Sequence, residues 1–438
     1  MTLGLAARSG SIAPGRLMSG GPALLLAGTL LVTAGPLAAQ AFHLGPVSGD
    51  LMAQAVGVVS SAAPMPHDVR VTEARVVQPV FSLGLVALGG HLRFRGTLDL
   101  EGWTIPDGEL TPGAYGEGFI DRRHPHTYVH ELMLTAHDVL GGLAVPAHLS
   151  FAFGKGFVAF GSDDPMESPV ERYPVDHHLA QILEREVAIV GIGVGRAAFE
   201  ATWFNGDEPE YPSEWPNGRR FGDSYALRAT FRPVPGLEGQ GSYARVKSPE
   251  QRLGAGPTQS KWSTSVRLER DLGGRPVYAM AEYARTVDAG GAFVYDSWLA
   301  EGAVTLGLVR PYMRLERTDR PEEPRVDGAY RTQRPPLDNS LLGITRWSIA
   351  TVGAQVTALT ALRRLRVIPF GELSVAGVRP LSGSFDPDAW YGGSTILQLT
   401  AGVRLDWGMV GHRMGRYGTV PDDATSMSTM NMDSVGER

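Results

Sequence analysis

The sequence predicts an all-β fold: a transmembrane antiparallel β-barrel of about sixteen strands (fourteen to eighteen), with a long loop folded inward. Three observations carry this expectation. The first is a set of two-faced segments about ten residues long, apolar on one side and polar or charged on the other. Trp262, Thr264, Val266 and Leu268 share one face, against Lys261, Ser263, Ser265, Arg267 and Glu269. Val309, Pro311, Met313 and Leu315 oppose Arg310, Tyr312, Arg314 and Glu316. Leu397, Leu399, Ala401, Val403, Leu405 and Trp407 oppose Gln398, Thr400, Gly402, Arg404 and Asp406. A soluble sandwich also alternates, but it seldom carries Arg and Glu along most of one face.

The second observation is the rhythm of the connections. Short ones (Gly141-Gly142, Gly193–Gly195, Pro233–Gly236, Gly273-Gly274, Gly307-Leu308) alternate with long ones (Thr104–His124, Gly154–Glu184, Gly206–Arg220, Ser248–Gln259, Thr318–Ile344, Arg379–Ser394). Membrane barrels have short turns at one end and long loops at the other. Asp288-Ala289-Gly290 is an exception, a short turn where a long loop is due.

The third is the N-terminus. Arg8 and Arg16 precede the apolar run from Ala23 to Val32, and Gly35-Pro36-Leu37-Ala38-Ala39-Gln40-Ala41 follows. That is the layout of a secretory signal peptide, assigned to residues 1–41. The run is too short, and too soon broken, for the roughly 20 apolar residues of a helical span.

Taken in order, residues 42–76 form an N-terminal segment of weak pattern, with a possible first strand near Ala53–Ser60. The barrel is assigned to 77–418 and a flexible tail to 419–438. Phe81–Leu88, Gly89-Gly90 and His91–Leu100 read as a hairpin. An odd number of strands runs from Phe81 on. A barrel with both ends on one side needs an even number, which is why the weak strand near Ala53–Ser60 is required.

Composition narrows the function. The chain has 438 residues, 43% hydrophobic and 20% charged, with net charge −6 and no Cys. No basic run offers a nucleic-acid footprint, and without Cys no disulfide or thiolate metal site exists. We find no Gly-x-Ser-x-Gly elbow and no phosphate loop. A barrel hydrolase using a Ser and a His is the remaining enzymatic option, and no residue singles it out. His130-Glu131 lacks a second His four residues on, so it is no zincin helix.

Gly154–Glu184 has no steady period, and loops this long inside a compact domain are usually functional or disordered. Its Phe, Val, Met and Tyr content argues for order. Gly154, Gly156 and Gly161 let the backbone turn inward. Phe157, Phe160 and Met166 supply apolar anchors, and Asp163-Asp164 can pair with lumen arginines. The residues expected to line the pore or its constriction are Asp163, Asp164, Arg228, Arg267, Arg310, Arg314, Glu269, Glu316 and Arg404. Arg232, Arg366, Glu200, Glu282 and Glu372 are further lumen candidates. Mixed charge along a pore wall favours polar solutes.

His124 and His126 stand before one strand, His177 and His178 before another. Neutral imidazole is the commonest divalent-metal ligand of this kind. These four, with Glu184 or Glu131 as an oxygen ligand, form a candidate copper or zinc site. The plainer reading is that they hydrogen-bond loop carbonyls and carboxylates. The charged runs Asp319–Arg325 and Phe204–Glu210 read as solvated loop faces, or as loop-to-loop ion pairs.

On these residues the chain resembles porin-like outer-membrane proteins. It looks most like an uncharacterised group, often found near copper-resistance systems. That group carries Asp-Arg-x-His-Pro-His before a strand, here Asp121 to His126. A His-His follows in a long loop, here His177-His178. Then come Phe-Asn-Gly-x-Glu-Pro, here Phe204–Pro209, and an Asp-Ser-Tyr strand, here Asp223–Tyr225. Ser248-Pro249-Glu250 also fits, and the resemblance covers roughly residues 80–410. Relatives tend to carry a further His after the pair, where this chain has Glu184. The resemblance implies a barrel in the outer membrane, among its lipid and lipopolysaccharide, and no established activity. The expected function is a non-enzymatic channel for small hydrophilic solutes, without a cofactor. The alternative is a metal-handling barrel using the loop histidines.

Overall fold

The computed structural model describes residues 41–65, 71–104, 126–140, 147–162, 179–322, 342–357, 359–362, 365–391, 393–408 and 415–417. Its architecture is one closed antiparallel sheet of sixteen long strands. In chain order these are β1 (Val47–Met65), β2 (Val71–Ala87), β3 (Leu92–Asp99), β4 (Val129–Ala136), β5 (Ala147–Gly156), β6 (Arg185–Val194), β7 (Ala197–Phe204) and β8 (Ser224–Val234). The second half comprises β9 (Leu237–Lys247), β10 (Thr258–Asp271), β11 (Pro276–Asp288), β12 (Phe293–Val304), β13 (Val309–Glu322), β14 (Gly343–Val356), β15 (Leu365–Gly383) and β16 (Thr395–Trp407). Two four-residue pieces, Ala41–Leu44 and Leu359–Leu362, pair only with the ends of β1 and β15.

Each strand pairs with its sequence neighbour, and β16 closes on β1 from Thr395↔Met65 to Trp407↔Ala53. Closure leaves no edge strand, the only sheet solution where no water can satisfy backbone groups. The segment 42–76 thus contributes a full strand and the start of the next, not a lead-in. Its pattern is weak because the lumen side of β1 carries Met52, Val56, Val58 and Ala62 among its polar residues. A bulge opposite Gln54–Val56 breaks the alternation of β2 instead, where Val77 and Val80 are both buried.

The barrel is inside-out relative to a soluble protein. Outward side chains are apolar and open: Leu399 is 59% exposed, Val352 57%, Phe153 54% and Trp298 53%. Their inward neighbours Thr400, Thr351, Ala152 and Ser297 are buried. Aromatic rings line the belt near the long-loop end, where Tyr243 lies 5.5 Å from Trp262 and Tyr283 lies 4.4 Å from Trp298. Such amphipathic rings suit a membrane interface. The short turns have the local chemistry expected of them. Gly89, Gly195, Gly236, Gly273 and Gly307 all sit at positive φ, where other residues are strained.

In detergent the folded protein should run as a heat-modifiable, β-rich species. Leu373→Arg, placed mid-strand on the outward face of β15, should destabilise the barrel by about 2–4 kcal/mol if it lies at the bilayer midplane. Denaturant titration in lipid vesicles checks this. An unchanged midpoint would mean that face does not meet lipid.

Candidate functional site

The chain leaves β5 at Gly156 and turns into the barrel. Phe157, Val158, Ala159 and Phe160 are all buried, and so is the returning limb Leu179–Glu184. Both limbs pack with lumen residues Met52, Val80, Met133, Phe204, Ala244 and Val246. The two limbs are stitched together where Val158 N donates to Ile182 O at 3.0 Å. They are also tied to the wall. Ala159 N donates to Thr202 Oγ1 of β7 (3.2 Å), and Gly161 N donates to Ser242 Oγ of β9 (2.9 Å). Leu179 and Ala180 reach Ala284, Tyr295 and Ile344 on β11, β12 and β14. The loop therefore crosses the lumen. Gly161 makes the crossing feasible: its φ is +71°, and a Cβ there would fall 1.6 Å from Ala180 O.

The wall around this loop is charged, and its charges are paired both across strands and along them. Arg228 of β8 donates to Glu200 of β7 at 2.7 Å. Arg314 of β13 donates to Glu301 of β12 at 2.9 Å and faces Glu316 at 3.7 Å. Arg267 meets Glu269 at 3.0 Å along β10. Arg404 pairs with Asp406 and donates to Gln54 at 3.1 Å; Arg366 reaches the same Asp406 at 2.9 Å. Arg310 lies half-buried on the lumen side of β13. Glycine again makes room: a Cβ at Gly353 would stand 2.4 Å from the Tyr312 ring. The ring thus lies across β14 and gives its hydroxyl to Glu372 of β15 at 3.0 Å. Pairs this close are dipoles, so their field is local to the wall and does not span the pore. Asp163 and Asp164 lie outside the described residues, as does Met166.

A second segment enters the lumen that the sequence reading missed. Past β16, Gly415–Tyr417 lies against the opposite wall. Gly415 O accepts from Arg228 Nη2 at 3.0 Å. Arg416 donates to Thr230 (3.1 Å) and to Glu238 (2.9 Å), which Arg232 also holds at 2.8 Å. Tyr417 Oη donates to Glu131 of β4 and accepts from Phe157 N at 3.3 Å. Gly156 lacks the side chain that would block this, since a Cβ would stand 2.6 Å from Tyr417 Oη. The ring of Tyr417 joins the loop's own apolar cluster. Arg413, Arg416 and Tyr417 close together after the last strand were the available signal.

At the root of the loop lies a buried polar cluster. His126, just before β4, has Nδ1 3.2 Å from both Asp99 Oδ2 and Glu101 Oε2. His130 of β4 has Nδ1 2.8 Å from Glu184 Oε1. That oxygen also accepts from Thr127 N (2.8 Å) and Thr127 Oγ1 (2.9 Å). Burial raises the Glu184 pKa, but the His130 hydrogen bond and the Lys155 charge outweigh it and hold the carboxyl at about 2. His124, His177 and His178 lie outside the described residues. The structure thus groups His126 with Asp99, Glu101 and His130, and uses Glu184 to hold His130. His130 escaped the sequence reading because of a bulge. Thr97 pairs with Glu131 and Leu98 with Val129, so His130 is the extra residue and both His130 and Glu131 point inward.

The Phe204–Pro209 motif is a rim knot of loop-to-loop contacts. Asn205 accepts from Glu186 N at 2.7 Å, Glu208 pairs with Arg185 at 3.0 Å, and Asp207 faces Arg220 at 3.4 Å.

No protein-family model and no curated protein matches the chain. Among solved structures, the anion-selective porin from Comamonas acidovorans is similar at 8% identity, over 82% of this chain and 100% of that one, with a TM-score of 0.47. Salmonella typhi OmpF in complex with daunomycin is similar at 10% identity, over 84% and 100%, with a TM-score of 0.48. Pseudomonas aeruginosa OccK2 in complex with glucuronate is similar at 12% identity, over 82% and 98%, with a TM-score of 0.36. Likeness at this level carries no ligand from those proteins to this chain; the closed barrel here stands on its own strand pairing.

Proposed function

We propose that this protein is an outer-membrane channel through which small hydrophilic solutes diffuse passively. The observation that supports this reading best is a barrel with an apolar belt outside, a polar charged wall inside, and a loop that narrows the lumen. A solute sees the wall charges that stay open to the lumen, such as the half-exposed Glu269 beside Arg267 and the half-exposed Arg366 beside Asp406. These can exchange hydrogen bonds with hydrated solutes, and they exclude apolar ones by the cost of desolvating the wall. In this reading residues 1–41 are the export signal, the short turns face the periplasm, and lipid and lipopolysaccharide surround the belt. The paired wall charges favour size and polarity selection over strong selection by charge. No catalytic role is assigned to any residue.

Two changes test the reading in planar bilayers. Deleting ten residues from Val158 removes the outgoing limb of the loop, and single-channel conductance should rise. Stopping the chain after Gly408 removes Gly415–Tyr417 and frees Arg228, Glu238 and Glu131 of their tail contacts; conductance should rise here also. Heat-modifiable migration confirms that each barrel is folded. Folded protein that passes no ions, in the wild type and in both variants alike, would sink the channel reading. Unchanged conductance in the loop deletion would mean that the loop does not narrow the path.

A further inference from the structure

We propose that Asp99, His126 and His130 form a binding site for one divalent transition-metal ion of the zinc or copper class. One ring nitrogen of each histidine and one Asp99 oxygen lie within 4.8 Å of one another. Ligand atoms about 2.0–2.1 Å from one cation are at most about 4.2 Å apart. Small side-chain rotations close the difference. All three residues are buried: Asp99 and His130 are fully enclosed and His126 is 3% exposed. The rings sit 4.8 Å apart, tilted at 47°.

The strongest pointer is His130. Its Nδ1 is held by the Glu184 carboxylate at 2.8 Å. Its Nε2 is enclosed and has no hydrogen-bond partner among the described residues. A neutral ring that gives its Nδ1 proton to a carboxylate presents a lone pair at Nε2, the arrangement found when a carboxylate orients a metal-ligating histidine. Leaving that nitrogen bare in a dry site is costly, and a cation uses it. Glu184 is thus a positioning residue. Its other donors, Thr127 N and Thr127 Oγ1, leave its Oε1 no freedom to turn away.

Local backbone features build the site. The bulge in β4 aims His130 inward where an unbroken strand would aim it at lipid. Glu101 N donates to Asp99 Oδ1 at 2.8 Å, which fixes the Asp99 carboxylate and leaves Oδ2 toward His126. Glu101 Oε2, 3.2 Å from His126 Nδ1, stands ready as a further oxygen ligand or as the partner of that ring. Two imidazoles and a carboxylate, without thiolate, suit Zn²⁺ or Cu²⁺ rather than Ca²⁺ or Mg²⁺. The proposal does not depend on the channel reading above.

The test is calorimetric titration of the chelator-treated, refolded full-length protein with ZnCl₂ at neutral pH, repeated with CuCl₂ and MgCl₂. Wild type should bind one zinc or copper ion saturably and magnesium not at all. H130Q and H126A should each weaken binding by at least about tenfold, and E184Q by about ten- to a hundredfold. The double change H91A/H148A, at histidines near the short-turn end, should leave it unchanged. Heat-modifiable migration checks that each variant is folded. Wild-type protein without saturable binding overturns the proposal, whatever its conductance. So does zinc binding that survives intact in both H130Q and H126A, which would place the ion on other histidines.

Discussion

The hydrogen bonds between β1 and β16 are the constraint on which the rest depends. A sheet in hydrocarbon must have no edge, because an unpaired N–H or C=O there costs several kcal/mol. Once Thr395↔Met65 to Trp407↔Ala53 are paired, the strand count is even and every side chain is assigned to lipid or lumen. The alternation of Leu399 and Thr400, or Val352 and Thr351, follows from that assignment. Inside the lumen the described residues form a second layer.

Among the described residues, that layer is made of two segments from distant parts of the chain. The loop after β5 and the Gly415–Tyr417 segment share one apolar cluster and meet where Tyr417 touches Glu131 and Phe157 N. Both hold their backbone polar groups by borrowing wall groups: Thr202 and Ser242 for the loop, Arg228 for the tail. A backbone that leaves the sheet inside a membrane is tolerated under this condition only. The wall charges serve the same end. Arg228 both pairs with Glu200 and caps the Gly415 carbonyl, so its role is structural as well as electrostatic.

The histidine cluster sits where these layers join. Glu184 is the last residue of the loop before β6, and it binds Thr127 and His130 from the preceding hairpin. Lys155, at the loop's departure, donates to Thr127 Oγ1 and lies 5.4 Å from the Trp215 ring. Both ends of the crossing loop are thereby anchored to one buried polar knot. Any ligand held by His126 and His130 acts on the loop through that knot.

The sequence by itself determined the sheet: its antiparallel strands, their inward and outward faces, their even number and the end that carries long loops. These follow from period-two patterning and turn chemistry, which are local. It also marked the loop that crosses the lumen, since Gly161 and the Phe157–Phe160 anchors are local as well. Only the tertiary structure decided what those features touch. The strand near Ala53–Ser60 was legible mainly through parity, because its lumen side is too apolar to alternate. Asp99 and His130 joined His126 through a cross-strand bulge, and two adjacent polar residues such as His130 and Glu131 do not reveal in one dimension that both point inward. The pairing of Arg228 with Glu200, 28 residues away, depends on the register of β7 and β8, and its bond to Gly415, 187 residues away, on barrel closure. Register and closure are properties of the whole sheet, and no window of the chain contains them.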